Sequence, residues 1–194
     1  MPRIVDAEER RALIVAALWR VIARDGLDHA SVRSVATEAG LSVGSLRHYF
    51  ASQSELLTFA LGAVGERLER RLVGAGTEGT PRERVRAKLA QMLPLDAERR
   101  LECEVWLAFT AKALTDASLR TTQRQAGKRL DAAFTYLVDL LAEDGLLRQG
   151  ADRTTEAVRL SALVDGLIIR GPSTTHSRPS LLRAVDAHLD DLTR

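Results

Sequence analysis

The residues with chemistry to offer cluster between positions 31 and 50, which read Ser-Val-Arg-Ser-Val-Ala-Thr-Glu-Ala-Gly-Leu-Ser-Val-Gly-Ser-Leu-Arg-His-Tyr-Phe. Ser45, Arg47 and His48 are spaced to share the outer face of one short helix. Together they could read base edges in a major groove, with Arg47 giving either a phosphate contact or a bidentate grip on guanine. Ser42 is placed to cap that helix and leave its first amides, at the positive end of the dipole, for an anion. Bond-breaking chemistry finds no support. The four histidines (29, 48, 176 and 188) share no metal-ligand spacing, Cys103 is the single cysteine, and no Gly-x-Ser-x-Gly or phosphate-loop segment occurs. No enzyme, metal or cofactor is expected.

The elements that must position these residues follow from local signals. Ser31 reads as the N-cap of a short helix striped by Val32, Val35, Ala36 and Ala39. Gly40 lets the chain reverse at positive φ, and Ser42 opens a third helix reaching about Phe50. Ala36 is small where the two helices cross, while Leu41 and Leu46 fill the wedge between them. This is a helix-turn-helix pattern. Ahead of it, Ile14, Ala17, Leu18, Val21 and Ile22 stripe a first helix over about 6–24, stopped by Gly26. Behind it, Ser52 and Glu55 form a capping box for a helix running to about Val73.

Beyond residue 73 the pattern remains helical. Residues 74–80, Gly-Ala-Gly-Thr-Glu-Gly-Thr, read as a flexible joint. They match a dinucleotide fingerprint in spacing, but no strand precedes them. Thr80-Pro81-Arg82-Glu83 then starts a helix to about Met92. Further helices are expected from Asp96 to Leu114, from Asp116 to Glu143, and from Asp152 through Ile168. Gly171-Pro172 to Pro179 is expected to break the chain before a last helix carrying Leu181, Leu182, Val185, Leu189 and Leu192. No stretch alternates with period two, so the fold class is all-α, with eight or nine helices. Arg70-Arg71 and Arg99-Arg100 read as solvated helix faces, and Cys103, between Glu102 and Glu104, as an unreactive thiol.

Composition bounds the rest. The 194 residues include 45% hydrophobic and 28% charged side chains, ordinary values that exclude a disordered or collagen-like chain. There are 25 Arg against 3 Lys and no Asn. The longest apolar run, Ala12 to Trp19, is far short of the roughly 20 residues that span a bilayer, so a cytoplasmic protein without membrane contact is expected. Net charge is only +2, and residues 1–60 hold seven Arg and seven acids. Affinity for nucleic acid must therefore come from the motif and not from bulk charge.

The spacing Val35-Ala36, Ala39-Gly40-Leu41-Ser42, Gly44-Ser45-Leu46, His48-Tyr49-Phe50 and Glu55-Leu56-Leu57 resembles the TetR-like family of bacterial regulators. The resemblance implies a DNA-binding domain, here 1–51, and a larger helical ligand-binding and dimerisation domain, here 52–194. It implies phosphate contacts from Ser31 and Tyr49 and a close backbone approach at Gly44. The expected interface is thus Ser31, Arg33, Ser42, Val43, Gly44, Ser45, Arg47, His48 and Tyr49. Two residues depart from the family pattern: Arg47 stands where Tyr is common, and Gln53 where Lys is common.

Residues 93–109 resemble the branch containing choline-responsive regulators, for which an aromatic cage would have to come from Trp106, Phe109, Phe134 and Tyr136. Met92, Trp106, Phe109, Thr110, Phe134 and Leu137 are the candidate ligand-binding residues, with ordinary core as the competing reading. Leu160, Val164, Leu167, Ile168, Leu182, Val185 and Leu189 are the candidate dimerisation residues, against packing within one chain. The functional expectation is a homodimeric regulator, a repressor, that binds a palindromic double-stranded DNA operator and is released by a small-molecule inducer. The alternative is a protein-interaction module on the same fold that makes no use of its helix-turn-helix on DNA.

Overall fold

The computed structural model describes residues 7–173 and 177–193. Among them the chain forms nine α-helices: α1 Ala7–Asp25, α2 Val32–Ala39, α3 Val43–Arg47, α4 Gln53–Gly74, α5 Pro81–Met92, α6 Ala97–Thr115, α7 Ala117–Glu143, α8 Arg153–Ser173 and α9 Arg178–Leu192. A single 3₁₀ turn, Leu27–His29, joins α1 to α2 and was not legible in the sequence. None of the described helices is long and apolar enough to cross a membrane. Two compact units emerge. The first holds the described residues up to Gly65 together with Glu104–Thr122, and the second holds Glu66–Cys103 with Gln123 onward. The first half of α4 belongs to the first unit, where it buries Leu56, Leu57 and Ala60.

In the first unit α1 packs on α2 through fully buried Ala17, Leu18, Val21, Val35 and Ala36. Glu38 on α2 accepts from Arg20 Nε (2.6 Å) and Arg24 (2.9 Å) on α1, fixing how the two helices meet. Phe50 is buried, with its ring 4.9 Å from Phe59 of α4.

In the second unit α9 packs on α5 and α8. Arg86 of α5 holds Asp186 of α9 by two hydrogen bonds, 2.5 and 3.0 Å, and Arg82 pairs with Asp190 one turn further on. The Arg86 hydrogen bonds keep the Asp186 carboxyl below its usual 3.8 despite partial burial. A carboxyl lowered in the folded state stabilises above its unfolded pKa, and that contribution is lost as pH falls through the folded value. Asp186→Asn is therefore expected to lower stability by ~0.5–1 kcal/mol in urea unfolding at pH 7, the scale of a partly exposed pair. The difference should shrink steadily below about pH 4.

Three expectations need correction. Residues 74–80 are a tied turn and not a flexible joint: Gly76 takes φ +62°, Arg84 Nε donates to its carbonyl (3.3 Å), and Glu83 caps Thr80 N (2.8 Å). A Cβ at Gly76 would stand 2.5 Å from the Arg84 carbonyl oxygen, so only glycine fits. Second, α8 continues through Gly171 and Pro172 to Ser173, and α9 already starts at Arg178, inside the stretch expected to break the chain, with Pro179 in its first turn, where the missing N–H costs nothing. Third, Arg71 and Arg99 are not solvated. Arg71 forms a two-pronged pair with Glu102, whose side chain is 5% exposed, and Arg99 donates to the Ala90 carbonyl (2.9 Å).

Candidate nucleic-acid interface

The turn between α2 and α3 is built from local chemistry. Ser31 caps α2, with its Oγ accepting from Ser34 N (3.1 Å) and the Ser34 hydroxyl returning to Ser31 N (3.0 Å). At the far end Gly40 sits at φ +67°. Leu41 N reaches Ala36 O (2.9 Å) while Gly40 N reaches Thr37 O (3.2 Å), a Schellman closure that only a residue tolerant of left-handed φ can make. Ser42 then caps α3 by accepting from Ser45 N (3.0 Å). Leu46 is fully buried and anchors α3 against the helices beneath it.

With Leu46 turned inward, the rest of α3 and its C-terminal turn face out. Ser42, Gly44, Arg47 and His48 are exposed, Tyr49 is 47% exposed, and Val43 and Ser45 are half-buried. The helix stops at Arg47, short of the expected Phe50, and His48 and Tyr49 lie in the turn that follows. Arg33 on α2 is exposed, whereas Ser31 is half-buried with its hydroxyl engaged in the cap. Among the described residues, and leaving aside the helix's own backbone and the neighbours Val43 and Ser45, the only atom within 4 Å of where a Gly44 Cβ would stand is Ser42 Oγ, at 3.9 Å. Packing among the described residues therefore leaves room for a methyl group at Gly44. Gln53 serves the fold itself, since its Nε2 donates to the Ala30 carbonyl (2.9 Å) and so ties the start of α4 to the turn before α2. Its spacing marked it as a substitution for Lys, but nothing in the sequence disclosed this partner.

The ligand-binding candidates fall in both units. Met92, Phe134 and Leu137 belong to the second, and Trp106, Phe109 and Thr110 to the first. Within the second unit a cleft of about 360 Å³ is lined by Met92, Leu137, Glu69, Leu72, Val73, Lys88, Ala133 and Tyr136. Tyr136 was expected only as a cage aromatic, and Glu69, Leu72, Val73, Lys88 and Ala133 were not expected at all, since their meeting depends on how α4, α5 and α7 pack. Phe134 is 2% exposed and Phe109 fully buried, each within its own unit's core.

Of the dimerisation candidates, Leu160, Val164, Val185 and Leu189 are at most 1% exposed, and Leu167 and Ile168 are 8% exposed. They are covered by their own chain, because α8 and α9 pack on one another with these stripes inward. Leu182 alone keeps surface, in a shallow cleft with Arg86, Arg178 and Arg183. The apolar surface left outside on α8 is instead Val158 (65% exposed), Ala162 and Ile169 (55% exposed).

A five-residue helix held by an N-cap and one buried leucine, presenting a cation, an imidazole and a phenol beside a bare glycine, is the reading head of a helix-turn-helix DNA-binding protein. Residues 14–58 match the family model for bacterial regulatory proteins of the tetR family, and residues 81–194 match that of the BetI-type transcriptional repressor C-terminal domain. The chain belongs to the TetR family of helix-turn-helix transcriptional regulators. It is 43% identical over 173 residues to the HTH-type transcriptional regulator PksA of Bacillus subtilis, covering 87% of this chain and 82% of that protein. It is 32% identical over 175 residues to the regulator BetI of Burkholderia ambifaria, covering 88% and 86%. A transcriptional regulator from Saccharomonospora viridis, solved in complex with choline, superposes with a TM-score of 0.83 at 26% identity, covering 94% of this chain and 96% of that one. These relatives regulate transcription and are not enzymes.

Proposed function

We propose that this chain is a dimeric repressor that binds a palindromic operator through α3 and leaves it when a small molecule occupies the second unit. The observation that carries the DNA half is the outward face of Gly44, Arg47, His48 and Tyr49, all four exposed around the buried Leu46. Arg47 reads guanine or holds a phosphate, Tyr49 and Ser31 hold phosphates, and Arg33, Ser42, Val43 and Ser45 complete the footprint. Pairing of two chains uses the outer stripe Val158, Ala162 and Ile169 with Leu182, and spaces two reading helices for successive major grooves. The repressing sign and the ligand response follow the BetI-type C-terminal match. Choline, the ligand of the Saccharomonospora neighbour, is not carried over to this chain, since two of the four aromatics a cage would draw on are closed off in core.

The test is fluorescence anisotropy against the chain's own upstream intergenic DNA, with excess random competitor and a salt series. Binding should resist competitor. Arg47→Ala should lose about 10–100-fold, the worth of one good base or phosphate contact, and Tyr49→Phe a smaller factor. Weak binding to every sequence, unmoved by either change, would end the DNA reading and favour an interaction module.

A further inference from the structure

The cleft in the second unit has a charge arrangement that selects its occupant. Most of its wall is apolar, from Leu72 and Val73 of α4, Met92 of α5, and Ala133 and Leu137 of α7. Its volume of about 360 Å³ lies at the small end of the ~300–1,000 Å³ usual for ligand sites. Half-buried Lys88 enters this wall with its Nζ donating to Leu72 O (2.5 Å) and Ala75 O (2.8 Å), carbonyls left unpaired where α4 ends. An ammonium carries three protons, and the third has no acceptor among the described residues. No described carboxylate pairs with Lys88, although Glu69 lines the same cleft. Two neutral carbonyls leave a half-buried positive charge only partly compensated, and an incoming anion would supply both the missing acceptor and the missing charge. Glu69, by contrast, is exposed and already hydrated, so it makes little demand for a cation but repels any second negative charge.

We propose that the cleft binds a monoanionic carboxylic acid with an apolar body, its carboxylate on the third N–H of Lys88 and its body against Leu72, Val73, Met92 and Leu137. The phenol of Tyr136, at the same wall, is free to donate to the second carboxylate oxygen. Dicarboxylates and polyphosphates are turned away by Glu69. This rests on the second unit being the ligand-responsive part of the regulator, and it names the chemistry that part answers to.

Isothermal calorimetry on the full chain tests it with octanoate, octanol and octyltrimethylammonium as probes of equal chain length. Octanoate should bind, and the alcohol and the cation at least about tenfold more weakly, the worth of one charge-assisted hydrogen bond. Lys88→Met should weaken octanoate by a similar factor. Because that change also releases the end of α4, Val73→Trp serves as the second variant: Val73 is 73% exposed, so the fold tolerates an indole that fills the cleft while Lys88 stays in place. Octanoate heat that is absent, unchanged in either variant, or exceeded by that of the cation would overturn the proposal. Operator anisotropy on the same samples separates the two readings. Intact operator binding with no octanoate site overturns the cleft chemistry alone, and octanoate binding without operator binding overturns the repressor alone.

Discussion

Gly44→Ala is expected to make the protein slightly more stable and to cost it most of its operator affinity. Glycine inside a helix is about 0.5–1 kcal/mol less favourable than alanine, with the lower figure fitting the second position of a helix as short as α3. Among the described residues beyond its chain neighbours the new methyl meets only Ser42 Oγ, at ordinary contact distance, so no clash offsets the gain. On DNA the same methyl would stand between the backbone of α3 and the groove, displacing the side chains on either side of it. A displacement that removes even one good base or phosphate contact costs ~1–3 kcal/mol, about 10–100-fold. Urea unfolding and anisotropy on one preparation give both halves. Lost affinity together with lost stability would mean that Gly44 serves the fold and not the interface.

The largest loss of stability is expected at Arg71. Its guanidinium meets both oxygens of Glu102, a carboxylate that is nearly sealed from water. Arg71→Ala leaves that carboxylate buried and unpaired, at a cost of about 3–5 kcal/mol. For a chain of this length that is ~10 °C or more in melting temperature. Arg71→Leu with Glu102→Leu should recover most of it, because two apolar side chains carry no charge to desolvate. A single variant that melts within a degree of the parent would show that water takes the arginine's place.

What the sequence disclosed and what it hid divide along chain separation. Ser31, Gly40, Ser42 and the Thr80–Glu83 box act on backbone within a turn of themselves, so spacing alone locates them, and every helix that they bound was legible. The inward face of α3 followed from Leu46, and the outward face from what remained. Arg71 and Glu102 lie 31 positions apart and Gln53 and Ala30 lie 23 apart; no local pattern links them, and Arg71 looked like any surface arginine. The apolar stripes of α8 and α9 were visible, but periodicity says only that a stripe is covered. Whether the same chain or a second copy covers it depends on tertiary packing, and here the same chain does. Ser52 and Glu55 fell between these cases. Ser52 caps Glu55 N as expected, but the Glu55 carboxylate reaches Ala51 N, one residue before the expected partner.

The tied turn at 74–80 has a consequence for how chains of this design can diverge. Its composition is that of a spacer, the kind of segment that absorbs insertions at little cost, yet both of its ends are fixed: Ala75 O to Lys88 and Gly76 O to Arg84 at the first, and Thr80 N to Glu83 at the second. Lys88 reaches the end of α4 only if α5 begins where it does. One residue added between Gly76 and Thr80 would have to be taken up without moving α5, or Arg84 and Lys88 would lose the carbonyls of Gly76 and Ala75. The segment is thus a ruler. Drift in its letters is tolerable wherever glycine is not demanded, but drift in its length is not.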